Sequence, residues 1–166
     1  MLMLRKWREH AILLCQAVRG WSSGVDGITG MIIGLGTDII EIVRIGTMIE
    51  RHGELFLQRV YTEEEIKYCQ RHKEALQHYA GRWAAKEAVM KTLGTGFTKG
   101  VGWKDIQVAK TRAGRPIIEL SGGAAEVARN LGIDEVLTTI SHCRAYATAT
   151  AIAVQHSPRS SPLPRS

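Results

Sequence analysis

Four alanines stand at every second position near the C-terminal end of this chain, at Ala147, Ala149, Ala151 and Ala153. Thr148, Thr150, Ile152 and Val154 fill the alternate positions, with Tyr146 in front of them. Successive side chains of a strand point to opposite faces, so the pattern describes a strand with one face of methyl groups only. Such a shallow face lets a neighbour approach almost to backbone distance. The neighbour is either a helix of the same chain or another subunit, and a fold for this sequence has to provide one of them.

The rest of the chain supplies candidates. Residues 31–40 (MIIGLGTDII) are β-rich and punctuated by glycine, which predicts a buried strand. Asp38 to Glu41 has the form of a helix start, an acidic N-cap with Glu at N3, and predicts a helix to about Arg51. Thr62 to Glu65 is a second capping box, opening a short helix that ends near His72. A long helix is predicted from Glu74 to Leu93, stopped by Gly94-Thr95-Gly96. Strands at 105–110 and 116–120 follow, then a helix at 123–131 and a closing hairpin of 135–141 with 145–155. Segregated helices and hairpins predict a single α+β domain, a small antiparallel sheet packed with a long helix.

The ends read differently. Residues 157–166 (SPRSSPLPRS) hold three of the four prolines and one large apolar side chain, which predicts a disordered tail. Residues 1–30 imitate a secretory signal only loosely, with Arg and Glu before a short apolar run and no A-x-A site after it. An upstream start before Met31 is the plainest explanation, and a weak amphipathic helix the second. These two ends carry six of the 22 Lys+Arg and two of the 16 Asp+Glu, so residues 31–156 keep only +2 of the formal +6. A basic module binding nucleic acid without catalysis is the competing function. It calls for clustered Lys and Arg with interleaved aromatics, a pattern missing from the sequence. No apolar run is long enough to span a membrane. Cys15, Cys69 and Cys143 form no disulfide or zinc pattern, which points to a cytoplasmic protein. His72 and His78, six apart on an expected helix, are predicted to be solvated and on different faces.

Two carboxylates break the hydrophobic pattern. Glu87 falls within a stripe of Leu76, Ala80, Trp83 and Met90, and Asp38 ends an apolar strand. A bare buried carboxylate costs several kcal/mol, so each needs a partner. Glu87 could pair with Lys91 one turn on, and Asp38 could cap a helix. The two could also share a hard cation such as Mg²⁺, which uses one or two carboxylates and completes its shell with water and phosphate oxygens. Arg82, Lys86, Lys91 and the Gly94–Gly96 turn are suitable company for phosphate. On the predicted first helix, Arg44, Met48 and Arg51 fall at i, i+4 and i+7, one stripe with an apolar centre.

Four blocks, GTDIIEIVRI at 36–45, FLQRVYTEEE at 56–65, GRWAAKEAVMKTLGTG at 81–96 and ISH at 140–142, carry a resemblance to the holo-acyl-carrier-protein synthases. These are the small bacterial type of 4′-phosphopantetheinyl transferase, enzymes of fatty acid and lipid metabolism. The resemblance spans about 31–155 and implies the fold of that family. It implies transfer of the phosphopantetheine arm of coenzyme A to a serine of apo acyl carrier protein, with release of adenosine 3′,5′-bisphosphate. It further implies that Asp38 and Glu87 hold Mg²⁺ and that Lys91 assists the leaving phosphate. Arg82, Lys86 and His142 would stand near the nucleotide phosphates, with Gly94 and Gly96 shaping the approach. Arg44, Met48 and Arg51 would meet the acidic carrier protein. Homotrimers with active sites between subunits are also implied.

Overall fold

The computed structural model describes residues 30–96 and 100–156. The expectations for residues 1–29 and 157–166 lie outside the described residues. Strand β1 (Gly30–Glu41) opens the fold and is followed by helices α1 (Ile42–Val60), α2 (Glu63–Gln70) and α3 (Ala75–Leu93). A short 3₁₀ turn (Trp103–Asp105) leads into β2 (Ile106–Lys110) and β3 (Pro116–Leu120). Helix α4 (Gly122–Asn130) and strands β4 (Glu135–His142) and β5 (Tyr146–His156) complete it. β1, β5 and β4 form one antiparallel sheet with β5 at its centre, and β2 with β3 forms a separate hairpin. The α+β expectation holds.

The alanine face meets a helix. Ala147, Ala149, Ala151 and Ala153 are all buried, and in the β1–β5 register they lie opposite Ile40, Asp38, Gly36 and Gly34. Helix α3 lies across this Gly/Ala floor. A Cβ added at Gly36 would stand 2.1 Å from the Ala88 carbonyl oxygen, and one at Gly34 would stand 2.5 Å from that of Thr92. Any side chain at either position would lift the helix off the sheet. The intramolecular alternative is therefore the one realised on this face. The opposite face of the same sheet leaves Leu35 55%, Ile39 66% and Leu137 41% exposed.

Three expectations are corrected. β1 does not end at Asp38: the strand continues to Glu41, so Asp38 is a ladder residue opposite Ala149 and caps nothing. Helix α1 starts at Ile42, whose N–H donates to the Ala145 carbonyl at 2.8 Å. That backbone bond does the work expected of a capping side chain. The first helical run bends at Gly53 (φ 55°, ψ −136°) and resumes to Val60 instead of stopping near Arg51. Helix α3 is buried nearly all round, from Tyr79 to Leu93, not along one stripe, while Leu76 of the expected stripe is exposed. The Thr62–Glu65 capping box forms as expected, with Thr62 N–H to Glu65 Oε2 at 2.8 Å and Glu65 N–H to Thr62 Oγ1 at 3.3 Å. Gly94 ends α3 in the left-handed conformation, φ 67°.

Candidate active site

Because strand side chains alternate, Asp38 shares the inward face of β1 with Gly34 and Gly36. It therefore points at α3, just beyond the zone of closest approach. Lys91 of α3 reaches across and donates from Nζ to Asp38 Oδ1 and to the Thr37 carbonyl, each at 2.8 Å. This ion pair bridges two elements, unlike the pair within one helix weighed from the sequence. Burial raises the Asp38 carboxyl above its ordinary value against the pull of Lys91 and Arg44. Burial, and then the Asp38 charge, pushes Glu87 up to about 7, with Lys91 pulling the other way. Burial and the nearby Asp38 charge both work against ionised Glu87, which a further cation at this place would favour. The donors are hard oxygens, and no cluster of three or more His, Cys, Asp or Glu suited to a metal exists among the described residues. Two carboxylates with open positions for water and phosphate oxygens match Mg²⁺, so the residues fit that ion.

A second group lies elsewhere on α3. Arg82 is 4% exposed, stacks 4.0 Å over the Tyr68 ring, and has an Nε without a partner among the described residues. With His78, Lys110, His142 and the Gly114–Pro116 turn it lines a cavity of about 190 Å³. Lys110 Nζ also lies over Tyr68, at 4.6 Å, and donates to its hydroxyl. His142, at the end of β4, places its ring 6.3 Å from His78. The expectation for His72 and His78 is corrected here: their rings lie 4.3 Å apart. α2 ends at Gln70 and α3 begins at Ala75, so helical spacing does not apply between them. Burial and then the charges of His72, Arg82 and Lys110 lower His78 to about 4. Among the described residues, the lining of this cavity holds cations and histidines and no carboxylate.

Lys86 is the clear correction among the expected site residues. It is fully buried, one turn on from Arg82 but turned to other partners, with Nζ 2.8 Å from Glu65 Oε2, 2.9 Å from the Trp103 carbonyl and 2.6 Å from that of Ile106. An ammonium has three donors, and all three are used, leaving none for a phosphate. Gly94 and Gly96 both take positive φ, 67° and 53°, beyond the end of α3. Arg44, Met48 and Arg51 are exposed along one side of α1, as the spacing predicts. Lys110, Tyr68 and His78 were missed, because only the hairpin and the α2–α3 connection bring them to Arg82.

Asp38, Glu87 and Lys91 beside β1, and Arg82, Lys110 and histidines beside β4, define an α+β protein with charged groups suited to an anionic ligand. Comparison with known proteins gives the class its name. The model of the 4′-phosphopantetheinyl transferase superfamily matches residues 34–151, and the chain belongs to that superfamily. A holo-[acyl-carrier-protein] synthase of Koribacter versatilis is 46% identical over 122 residues, which is 74% of this chain and 98% of that protein. One from Chlamydia pneumoniae is 49% identical over 123 residues, again 74% and 98% of the two chains. Among solved structures, the holo-[acyl-carrier-protein] synthase of Neisseria meningitidis superposes with a TM-score of 0.69 at 29% identity, covering 74% of this chain and 98% of that one. That of Helicobacter pylori in complex with coenzyme A gives 0.64 at 31% identity, covering 72% and 98%.

Proposed function

We propose that this chain transfers the 4′-phosphopantetheine arm of coenzyme A to a serine of apo acyl carrier protein. The products are the holo carrier protein and adenosine 3′,5′-bisphosphate. The observation that carries the proposal is the seating of Asp38, Glu87 and Lys91 at the β1–α3 contact, in a chain that covers 98% of the length of a relative of that name. The serine oxygen forms its bond to the pantetheine phosphorus as the bond from that phosphorus to the leaving nucleotide phosphate breaks. Such transfers rest on positioning and on neutralising charge over the phosphate oxygens. Mg²⁺ held by Asp38 and Glu87 would supply that neutralisation when bound. Lys91, fixed by Asp38 and the Thr37 carbonyl, brings an ammonium donor to the leaving phosphate oxygen. Arg82 and His142, joined by His78 and Lys110, hold the nucleotide phosphates, and Gly94 and Gly96 let the ligand pass close to the backbone.

The carrier protein is acidic and docks on α1 through Arg44, Met48 and Arg51. Arg44 is close enough to Asp38 to lower its pKa, so the docked serine arrives at the carboxylate end of the site. The working form is a homotrimer. Leu35, Ile39 and Leu137, with Tyr146 beside them, give the outer sheet face an apolar row suited to burial against a second copy. With acyl carrier protein as acceptor, the reaction belongs to fatty acid biosynthesis, and we propose the cytoplasm as its place. No helix among the described residues is long and apolar enough to cross a membrane.

The decisive experiment incubates the protein with coenzyme A, Mg²⁺ and apo acyl carrier protein and weighs the acceptor by mass spectrometry. The expected result is the mass gain of one phosphopantetheine. An unmodified acceptor would overturn the proposal.

A further inference from the structure

Helix α3 carries Glu87 and Lys91, so its rotation and axial position decide where both stand relative to Asp38. On its sheet side it rests on Gly34, Gly36 and the alanines of β5, a floor that permits close approach and offers few knobs to stop sliding or turning. Thr92 Oγ1 to the Ala151 carbonyl, at 3.2 Å, is a neutral tie near the helix end. Lys91 bonds Asp38 itself and so belongs to the arrangement that needs fixing.

The opposite side of the helix is different. Lys86 lies about 200° around from Ala88, nearly diametrically across. Its ammonium bonds Glu65 and the carbonyls of Trp103 and Ile106. Glu65, itself 1% exposed, spends Oε2 also on the Thr62 N–H that starts α2 and Oε1 on the Val108 N–H of β2, at 3.0 Å. Every polar group of the pair is matched, and the pair joins α2, α3, the 3₁₀ turn and β2 at one point. Apolar replacement of a buried ion pair often leaves stability unchanged or higher, and in some proteins the retained pair specifies one arrangement.

We infer that Glu65 and Lys86 are positioning residues for phosphopantetheinyl transfer. Their buried pair clamps the far side of α3 in the register that presents Glu87 and Lys91 to Asp38. The inference rests on the proposed transferase function. Sub-ångström placement matters for such a step, because a misplacement of about 1 Å can lower the rate ~100-fold.

The test is the double variant Glu65→Gln/Lys86→Met, which removes both charges while keeping volume and an amide for the freed backbone groups. Transfer is measured with coenzyme A, Mg²⁺ and apo carrier protein, and kcat is normalised to the folded fraction from near-ultraviolet circular dichroism. The expected outcome is a melting temperature close to wild type, a kcat reduced about tenfold or more, and a KM for coenzyme A within about twofold. Wild-type kcat in the folded variant would overturn the inference. A drop that disappears on normalising to folded protein would also overturn it, leaving the pair a structural one. If the double variant does not fold, Glu65→Asp keeps the charge and withdraws the carboxylate by one methylene. The same lowered kcat at unchanged KM supports the clamp there, and an unchanged kcat overturns it. Failure of the wild-type protein to modify the carrier protein would instead overturn the transferase proposal.

Discussion

Replacing Glu87 by Gln removes a charge that folding resists and that the proposed chemistry requires, so stability and activity should move in opposite directions. The Glu87 carboxyl titrates at about 7 in the folded protein against an ordinary 4.5. The folded chain therefore keeps a proton that the unfolded chain releases. Its contribution to stability is full below pH 4.5 and is lost as the pH rises through about 7. At pH 8, ionised Glu87 costs the cation-free protein roughly 3 kcal/mol. Gln is the permanent equivalent of the protonated form. In Mg²⁺-free buffer Glu87→Gln should match wild type at pH 5 and melt higher at pH 8, by on the order of 10 °C. Thermal melts followed by circular dichroism at the two pH values measure this directly. With coenzyme A, Mg²⁺ and apo carrier protein the same variant should lose transfer at least ~100-fold, the loss expected when several kcal/mol of charge neutralisation disappear. A variant less stable than wild type at pH 8 would refute the reasoning. It would mean that the favourable pairing with Lys91 outweighs burial and the repulsion from Asp38. A variant with normal transfer would refute the catalytic half.

Three further outcomes follow from the geometry. Gly36→Ala should destabilise the fold by about 3 kcal/mol or more in urea titration, because its Cβ would stand 2.1 Å from a backbone oxygen of α3, which has no rotamer to change. Arg44→Ala should raise the KM for the carrier protein several-fold and leave that for coenzyme A unchanged; equal losses would remove α1 from the docking face. His78, lowered to about 4 in the fold from an ordinary 6.5, contributes stability that is present above pH 6.5 and lost as the pH falls through 4. His78→Gln should therefore flatten the acid limb of the stability profile in that window, as read from denaturant midpoints.

Much of the frame is legible in the residues, because period and punctuation suffice for it. The Ala147–Ala153 alternation demanded a closely approaching partner, the Thr62–Glu65 box set the start of α2, and Gly94 set the end of α3. The sequence marks Asp38 as an anomaly but suggests the wrong local role for it. Its capping-box look came from Glu41 three residues on, while the long-range ladder with β5 carried the strand past it. Register could have shown this, since Asp38 falls two after Gly36 and four after Gly34, on the face that must touch the helix. Lys86 was misjudged for a related reason. Its three partners come from α2, the 3₁₀ turn and β2, and no local spacing announces a buried ion pair assembled from separate elements.

The order of charges along α3 also bears on how many chains make one site. At about 100° per residue, Arg82 and Lys86 fall within about 40° of each other, and Glu87 and Lys91 do likewise. The two groups are separated by about 140° around the axis and, from Arg82 to Glu87, by about 7.5 Å along it. The sheet covers a third sector, centred on Ala88 and Thr92, and the buried Glu65–Lys86 pair lies against the helix on the other side. In keeping with this, the cavity lined by Arg82 and His142 does not include Asp38, Glu87 or Lys91. A ligand with phosphates at one end and a reacting pyrophosphate at the other would have to pass around the helix to meet both groups of a single chain. A neighbouring copy, packed against the apolar outer face of the sheet, could set its own Arg82 and His142 beside the first chain's carboxylates. On that view one helix would serve two sites, and the clamp acts on the Glu87–Lys91 end of it, so loosening it should lower kcat and leave the KM for coenzyme A within about twofold.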